Sequence, residues 1–334
     1  MSLNLRSVGI LGTGICLPEK VLTNKDLEEM VDTSDEWIRT RTGIVERRIA
    51  DPHTPTSVLA ERAARMALEN ARIKAEDIGL IIVATVTPDM VFPATACLVQ
   101  NRLGAVSAAA FDLEAGCSGF IYALVSGAQF VASGVYDYVL VIGAETLSRI
   151  VNWEDRNTCV LFGDGAGAVV IGPVPEGYGI LGIDLGSDGG GADLLDVPAG
   201  GSLNPASHFT VENKLHFLRM NGNEVFKFAV RIIGDSAVRA LLSAGLEKEN
   251  IDFLIPHQAN IRIIQAALKR LKLSEKKVYV NLDRYGNTSA ASVPIALHEA
   301  YKEGLIKKDN IVVLVAFGAG LTWGAAVIRW SMDK

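Results

Sequence analysis

Cys117 is the residue whose position in this sequence points most directly to chemistry. It lies in the stretch EAGCSGF (residues 114–120), where a β-like run ends and a long, almost charge-free helical pattern begins. In the first turn of a helix, backbone N–H groups and the positive end of the dipole favour a thiolate. Because a thiolate attacks acyl groups, this position predicts acyl transfer. The structural alternative is a small apolar side chain that fills a helix–strand contact.

His257 is the histidine best placed to act with this thiol. It directly follows the apolar run Phe253–Pro256, and a helical pattern opens just after it. Ligands bind at the carboxyl ends of strands in open α/β sheets. The position therefore predicts a functional histidine, although a lone histidine more often has a structural role.

The elements that must position these residues form an internal repeat with a constant offset. Asp77–Ile82 matches Asn250–Ile255, and Tyr138–Ile142 matches Ile311–Val315 at the same offset. Continuous apolar strands that alternate with helices predict an α/β fold with mainly parallel sheets. We expect two pseudo-symmetric halves, residues 1–173 with the cysteine and residues 174–334 with the histidine, and a cleft between them.

The repeat also adds an amide to the predicted site. Its offset places Cys117 on Ala290, so that the stretch GNTS (residues 286–289) is the counterpart of the cysteine turn. Corresponding loops of pseudo-symmetric halves can converge, which makes Asn287 a candidate partner of the thiol. Gly318–Gly320, after an apolar strand, could supply backbone N–H groups to an oxyanion, or could be only a tight turn.

Composition and charge exclude several classes of protein. The chain has 334 residues, 49% of them hydrophobic, and a net charge of −6, which argues against a nucleic-acid-binding protein. No apolar run is long enough to span a membrane, and the first residues lack a signal-peptide pattern, so we expect a cytoplasmic protein. The four scattered cysteines predict neither disulfides nor a metal site, and no Gly-x-Gly-x-x-Gly motif supports a dinucleotide cofactor.

Six motifs together closely resemble the β-ketoacyl-[acyl-carrier-protein] synthase III family, and they occur in that family's order along essentially the whole chain. They are DTSDEWI (32–38), TRTGI (40–44), EAGCSG (114–119), PHQAN (256–260), GNTSA (286–290) and FGAGLTWG (317–324). The resemblance implies a thiolase-like, five-layered αβαβα fold and a homodimer. It implies an acyltransferase that initiates fatty acid synthesis without a cofactor. An acyl-CoA, with acetyl-CoA expected, acylates the cysteine, and malonyl-acyl-carrier protein then loses CO2 and attacks, giving 3-oxoacyl-acyl-carrier protein and CoA.

The resemblance also assigns roles to individual residues. Cys117, His257 and Asn287 match the catalytic positions, and the backbone N–H groups of Cys117 and Gly320 match the oxyanion hole. The positions that match CoA-binding residues are Trp37, Arg41, Thr42, Arg156 and Asn260. Those that match the acyl pocket are Leu147, Phe162, Leu195, Leu218 and Phe92, the last reaching into the partner's pocket. Those that match the carrier-protein docking surface are Lys227, Arg262 and Lys269.

Three other functions are compatible with a Cys–His–Asn set. A type III polyketide or quinolone-pathway synthase would extend CoA esters without a carrier protein. Arg262 and Lys269 lie on one face of a predicted amphipathic helix (residues 261–273), and this basic stripe disfavours such a synthase. A papain-like hydrolase would carry a different cysteine motif. A non-catalytic acyl-CoA-binding scaffold would not need the intact trio. The length and branching of the primer acyl chain stay open.

Overall fold

The strands of the computed structural model, which describes residues 5–333, are short and mostly apolar. In chain order they are β1 (Val8–Cys16), β2 (Val21–Thr23), β3 (Glu46–Arg48), β4 (Leu80–Ala84), β5 (Ala109–Leu113), β6 (Val139–Glu145), β7 (Gly165–Pro173), β8 (Gly179–Ser187), β9 (Leu195–Asp196), β10 (Arg219–Met220), β11 (Phe253–Pro256), β12 (Ile311–Gly318) and β13 (Thr322–Arg329). β4, β6 and β11 are buried along their whole length, as continuous apolar runs predict for strands covered on both faces.

The helices alternate with these strands in both halves of the chain. They are α1 (Asn24–Glu28), α2 (Asp35–Thr42), α3 (Thr56–Ala71), α4 (Thr95–Leu103), α5 (Gly119–Ala132), α6 (His208–Glu212), α7 (Gly222–Ser243), α8 (Ile261–Leu271), α9 (Leu282–Tyr285) and α10 (Ser292–Lys302). None of the helices within residues 5–333 is both long enough and apolar enough to cross a bilayer.

Two sheets form the centre of the molecule. The first has the strand order β1-β7-β6-β4-β5, and the second has the order β11-β12-β13-β8. In the first sheet only β7 runs against the other four strands, and in the second only β13 runs against the other three, among the described residues. The prediction of mainly parallel sheets is confirmed. In each sheet the reversed strand pairs with the strand that precedes it in the chain, β7 with β6 and β13 with β12.

Three apolar cores stack these elements into five layers. One core packs α3 and α4 against the outer face of the first sheet, and another packs α7 and α8 against the outer face of the second. The largest core lies between the sheets and contains α5 and α10. The order helix, sheet, helix, sheet, helix is the predicted αβαβα arrangement, which is confirmed.

The internal repeat is visible in the positions of the elements. A 3₁₀ turn at Gly116–Ser118 leads into α5, and a 3₁₀ turn at Ser289–Ala291 leads into α10, with the same offset as the repeat in the sequence. The two turns contact each other across the middle layer. The division between Pro173 and Val174 stays a prediction; it falls between the end of β7 and the start of β8.

Candidate active site

The Cys117 turn is held by close backbone contact with the loop after β12. A Cβ on Gly318 would collide with the Cys117 nitrogen, and a Cβ on Gly116 would come within 2.7 Å of the Ala319 nitrogen. Gly116 also has a φ of 54°, which disfavours other residues. Glycine at both positions therefore lets the loop that carries Gly320 lie against the nucleophile turn.

Burial dominates the electrostatics of Cys117. Its side chain is almost fully buried, and desolvation raises the pKa of the thiol to about 12, with the nearby Glu145 carboxyl acting in the same direction. Burial therefore opposes the thiolate that the helix start favours, because a buried charge loses its solvation. Acylation at this residue requires a group that takes the thiol proton.

His257 is a buried, neutral imidazole at the carboxyl end of β11. Its backbone N–H donates to the Val315 carbonyl, and burial lowers the pKa of the ring to about 3. Ring atom Nδ1 lies 2.6 Å from Ser292 Oγ, which also accepts the Gln258 N–H. The Ser292 proton is therefore available to Nδ1, and this assignment places the ring proton on Nε2. The edge of the ring packs against Phe317.

Asn287 has its carboxamide oriented by a local hydrogen bond. Its Oδ1 accepts the backbone N–H of Ser289 at 2.8 Å, so that the Nδ2 donor is left for other partners. Its backbone pairs on both sides with the segment Leu161–Gly163. The amide donor is thus presented from a backbone that is tied down in both directions.

Cys117, His257 and Asn287 line one small cavity, although they lie far apart in the chain. Phe162 and Leu195, two residues predicted for the acyl pocket, line it as well. The structure therefore brings the three predicted catalytic residues together around a shared space, with two side chains that can donate hydrogen bonds and one thiol.

A second cavity, of about 680 Å³, is also lined by Cys117. Four of the predicted acyl-pocket residues line it, namely Leu147, Phe162, Leu195 and Leu218. Phe92 does not; its side chain is 82% exposed in the loop after β4, and its neighbour Val91 reaches the cavity wall. The prediction for Phe92 concerns a partner protomer and stays a prediction.

Four of the five predicted CoA-binding residues form one cluster. The guanidinium carbons of Arg156 and Arg41 lie 4.9 and 5.7 Å from the centre of the Trp37 ring system. The Asn260 amide donates to the Arg41 carbonyl, and Asn260 also lines the catalytic cavity. Thr42 differs: it is buried, and its hydroxyl bonds the Ile38 carbonyl and the Ile44 N–H. The structure places Thr42 behind the cluster, where it closes the end of α2.

The predicted docking residues are exposed on two neighbouring helices, α7 and α8. Arg262 lies over the ring of Phe226, which lines the catalytic cavity. Lys269 lies in the last turn of α8, and Lys227 pairs with Glu224 at 2.7 Å near the start of α7. Arg262 thus contacts a residue of the cavity wall.

Sequence reasoning missed the side chains that lie behind the predicted catalytic residues. Ser292 orients His257, Phe317 packs on it, and Ser289 and Glu145 lie next to Cys117. Ser289 belongs to the GNTSA motif and Phe317 to the FGAGLTWG motif, but the sequence holds no periodicity or spacing that would indicate Ser292 or Glu145. No group of three or more His, Cys, Asp or Glu residues within 5–333 is arranged to hold a metal ion.

Comparisons with known proteins agree on one family. Family models for 3-oxoacyl-[acyl-carrier-protein] synthase III match residues 111–189, and for its C-terminal part residues 241–330. The β-ketoacyl-[acyl-carrier-protein] synthase III of Caldanaerobacter subterraneus is 66% identical over 97% of this chain and 98% of its own length. That of Desulfitobacterium hafniense is 62% identical over the same shares. The crystal structure of 3-oxoacyl-[acyl-carrier-protein] synthase III from Aquifex aeolicus superposes with a TM-score of 0.89 at 50% identity, covering 97% of this chain and 100% of the other. The chain belongs to the β-ketoacyl-[acyl-carrier-protein] synthase III family.

Proposed function

We propose that this protein is an acyltransferase that condenses an acyl-CoA primer with malonyl-acyl-carrier protein and thereby initiates fatty acid synthesis. The observation that carries the proposal is the single cavity lined by Cys117, His257 and Asn287. The reaction proceeds through an acyl-Cys117 thioester, and decarboxylation of the malonyl group produces the carbanion that attacks it. The products are 3-oxoacyl-acyl-carrier protein, CO2 and CoA.

Each half-reaction uses a different set of donors. The backbone N–H groups of Cys117 and Gly320 stabilise the oxyanion that forms when the thioester is attacked. His257 Nε2 and Asn287 Nδ2 donate to the malonyl thioester carbonyl and stabilise the enolate left by the loss of CO2. Both orientations are supported by the partners of these side chains, Ser292 for the imidazole and the Ser289 N–H for the amide.

The charged and aromatic side chains around the cavity recognise the two substrates. Trp37 with Arg41 and Arg156 offers a stacking surface and two cations to the CoA nucleotide, and Asn260 lies between this cluster and the cavity. Arg262, Lys269 and Lys227 dock the acidic carrier protein. Thr42 supports the cluster from behind.

The acyl chain occupies the second cavity, lined by Leu147, Phe162, Leu195 and Leu218. We place Phe92 at the far end of that cavity in the partner protomer of a homodimer, because its ring is exposed in the single chain. A bulky ring there favours a short primer such as acetyl-CoA.

The proposal is tested by steady-state condensation assays that compare malonyl-acyl-carrier protein with malonyl-CoA, each with acetyl-CoA as primer. We expect a strong preference for the carrier-bound substrate. A preference for free malonyl-CoA would instead indicate a synthase that needs no carrier protein, and free acetate as the main product would indicate a hydrolase.

A further inference from the structure

Thr322 lies between the two segments that are proposed to form the oxyanion hole. One donor is the backbone N–H of Cys117, in the turn before α5, and the other is that of Gly320, in the loop between β12 and β13. Thr322 is the first residue of β13 and pairs across the sheet with Gly318, the last residue of β12. It therefore lies at the base of the loop that carries the second donor.

The Thr322 side chain contacts both segments. Its Oγ1 lies 2.9 Å from the Ala115 carbonyl oxygen, in the nucleophile turn, and 2.9 Å from the Ala319 carbonyl oxygen, in its own loop. Ser118 Oγ, also in the nucleophile turn, lies 2.8 Å from Thr322 Oγ1 and 2.8 Å from the Ala115 oxygen. Ser118 directly follows the nucleophile, and Ala319 directly precedes the glycine of the proposed oxyanion hole.

The two hydroxyl protons cannot both be used within their own segments. Ser118 and Thr322 have one hydroxyl proton each, and the carbonyl oxygens of Ala115 and Ala319 only accept. If Ser118 donated to Ala115 and Thr322 to Ala319, no proton would lie between two hydroxyl oxygens that are 2.8 Å apart, the usual length of an O–H···O hydrogen bond. At least one hydrogen bond therefore crosses from the turn to the loop.

Burial and packing make this crossing bond effective. Ser118 is fully buried, so that solvent does not readily replace a bond lost there. The methyl group of Thr322 packs on Gly320, since a Cβ on that glycine would come within 2.8 Å of Thr322 Cγ2. The loop is held separately from the β8 side, by two backbone hydrogen bonds of 2.8 and 2.9 Å between Leu321 and Asp188.

We propose that Thr322, together with Ser118, is a positioning residue of the oxyanion hole that fixes the Cys117 and Gly320 N–H groups relative to each other; this inference rests on the proposed function. Donors stabilise an oxyanion when they are preorganised, and a misplacement of about 1 Å can cost about 100-fold in rate. Loss of the Thr322 hydroxyl keeps both N–H groups but loosens their relative position. It therefore slows attack on the thioester carbonyl without weakening the binding of acyl-CoA.

The first test compares T322V, which keeps the size of the side chain without the hydroxyl, with T322S, which keeps the hydroxyl. Acylation of Cys117 at several acetyl-CoA concentrations is followed by rapid quenching and intact-protein mass spectrometry. We expect T322V to lower the maximal rate about tenfold, with the half-saturating concentration within about twofold of native, and T322S to stay within about twofold in both.

Ser118 gives an independent variant. S118A should lower the acylation rate only about threefold, because Thr322 can still donate to Ala115 across the two segments. Added to T322V, S118A should cause no further loss, since no crossing bond is then left to break. This dependence of one substitution on the other is the result expected for two hydroxyls that act as one unit.

A second measurement reports on the oxyanion hole itself. Infrared difference spectra of acetyl-Cys117, with the carbonyl carbon isotopically labelled, give the stretching frequency of the thioester carbonyl, which falls as N–H groups donate to its oxygen. We expect a higher frequency in T322V than in the native protein, and the native frequency in T322S. Decarboxylation of malonyl-acyl-carrier protein without primer, which uses His257 and Asn287, should be unchanged in T322V and shows that the site is folded.

The outcomes separate this inference from the function on which it rests. A native protein that acetyl-CoA does not acylate would overturn the proposed function. If the native protein is acylated, a native rate and native carbonyl frequency in T322V would overturn the positioning role alone. Equal losses in T322V and T322S would do the same, and so would a loss of decarboxylation in T322V as large as its loss of acylation. If T322V does not fold, a native rate and frequency in S118A would overturn the role.

Discussion

Ser292 Oγ lies 2.6 Å from Nδ1 of the buried His257 imidazole, and Ser292 is not one of the residues that line the cavity shared by Cys117, His257 and Asn287. Ser292 is the first residue of α10, in the half of the chain that also supplies His257 and Asn287. A neutral ring has one proton, and the partner of one nitrogen decides which nitrogen carries it. This serine therefore sets the donor that the decarboxylation step needs.

Ser292→Ala should slow decarboxylation by about tenfold, the effect of one hydrogen bond of ordinary strength, because the ring loses its tautomeric bias. Acylation of Cys117 should stay within about twofold. Ser292→Thr keeps the hydroxyl and is the matched control. The measurement is release of labelled CO2 from malonyl-acyl-carrier protein. If the alanine and threonine variants release CO2 equally fast, Ser292 does not orient His257.

His257→Ala and Asn287→Ala should reduce decarboxylation by about 100-fold or more, as expected when a donor to a developing negative charge is removed. Both variants should still be acylated by acetyl-CoA, since neither residue takes part in that step. The two half-reactions are measured separately, by CO2 release and by mass spectrometry. Equal loss in both would show that the division of labour is wrong.

The chain pattern predicted mainly parallel sheets and the convergence of Cys117, His257 and Asn287 on one site, but not the residues behind these three. Continuous apolar strands and the constant offset of the repeat depend on local sequence, so the mainly parallel sheets and the pairing of the Cys117 and Asn287 turns could be anticipated. The five layers were expected from the family resemblance. The contacts of Ser292 with His257 and of Glu145 with Thr87 exist only in the folded chain. Neither residue type is unusual at its position in a helix or a strand.

Burial affects two of the predicted site residues in a way that the sequence does not show. The helix start at Cys117 suggested a thiolate, but desolvation raises the pKa of the thiol. Thr42 matches a CoA-binding position, but its hydroxyl is used inside the protein. Solvent exposure depends on how the layers pack, so a sequence motif does not indicate it.

Arg262→Glu should raise the KM for malonyl-acyl-carrier protein by about tenfold, because a charge at the rim of an interface now repels an acidic partner. Acylation by acetyl-CoA should be unchanged. Lys307→Glu makes the same charge change at an exposed site outside the proposed docking surface. If both variants show the same carrier-protein kinetics, Arg262 does not dock the carrier protein and the exposed face of α8 is in contact with solvent only.

Phe92→Ala should broaden the choice of primer. If the ring closes the acyl cavity of a partner protomer, its loss should raise the rate with hexanoyl-CoA relative to acetyl-CoA by about tenfold, the range expected for added room in an apolar pocket. Val135→Ala, another exposed apolar residue, is the control. An unchanged ratio across a panel of acyl-CoA chain lengths would remove Phe92 from the pocket.

The most direct measurement is peptide mapping by mass spectrometry after the protein is mixed with acetyl-CoA and then with malonyl-acyl-carrier protein. An acetyl group should appear on Cys117 and leave it when the second substrate is added, with 3-oxobutanoyl-acyl-carrier protein formed in the same amount. Cys117→Ser should lose at least about 100-fold in this acylation, because a serine hydroxyl is far less ionised than a thiol. Cys159→Ser, at a buried cysteine outside the cavity, should acylate normally. Acetyl transfer that bypasses Cys117, or an acetyl group that malonyl-acyl-carrier protein does not discharge, would contradict the proposed reaction.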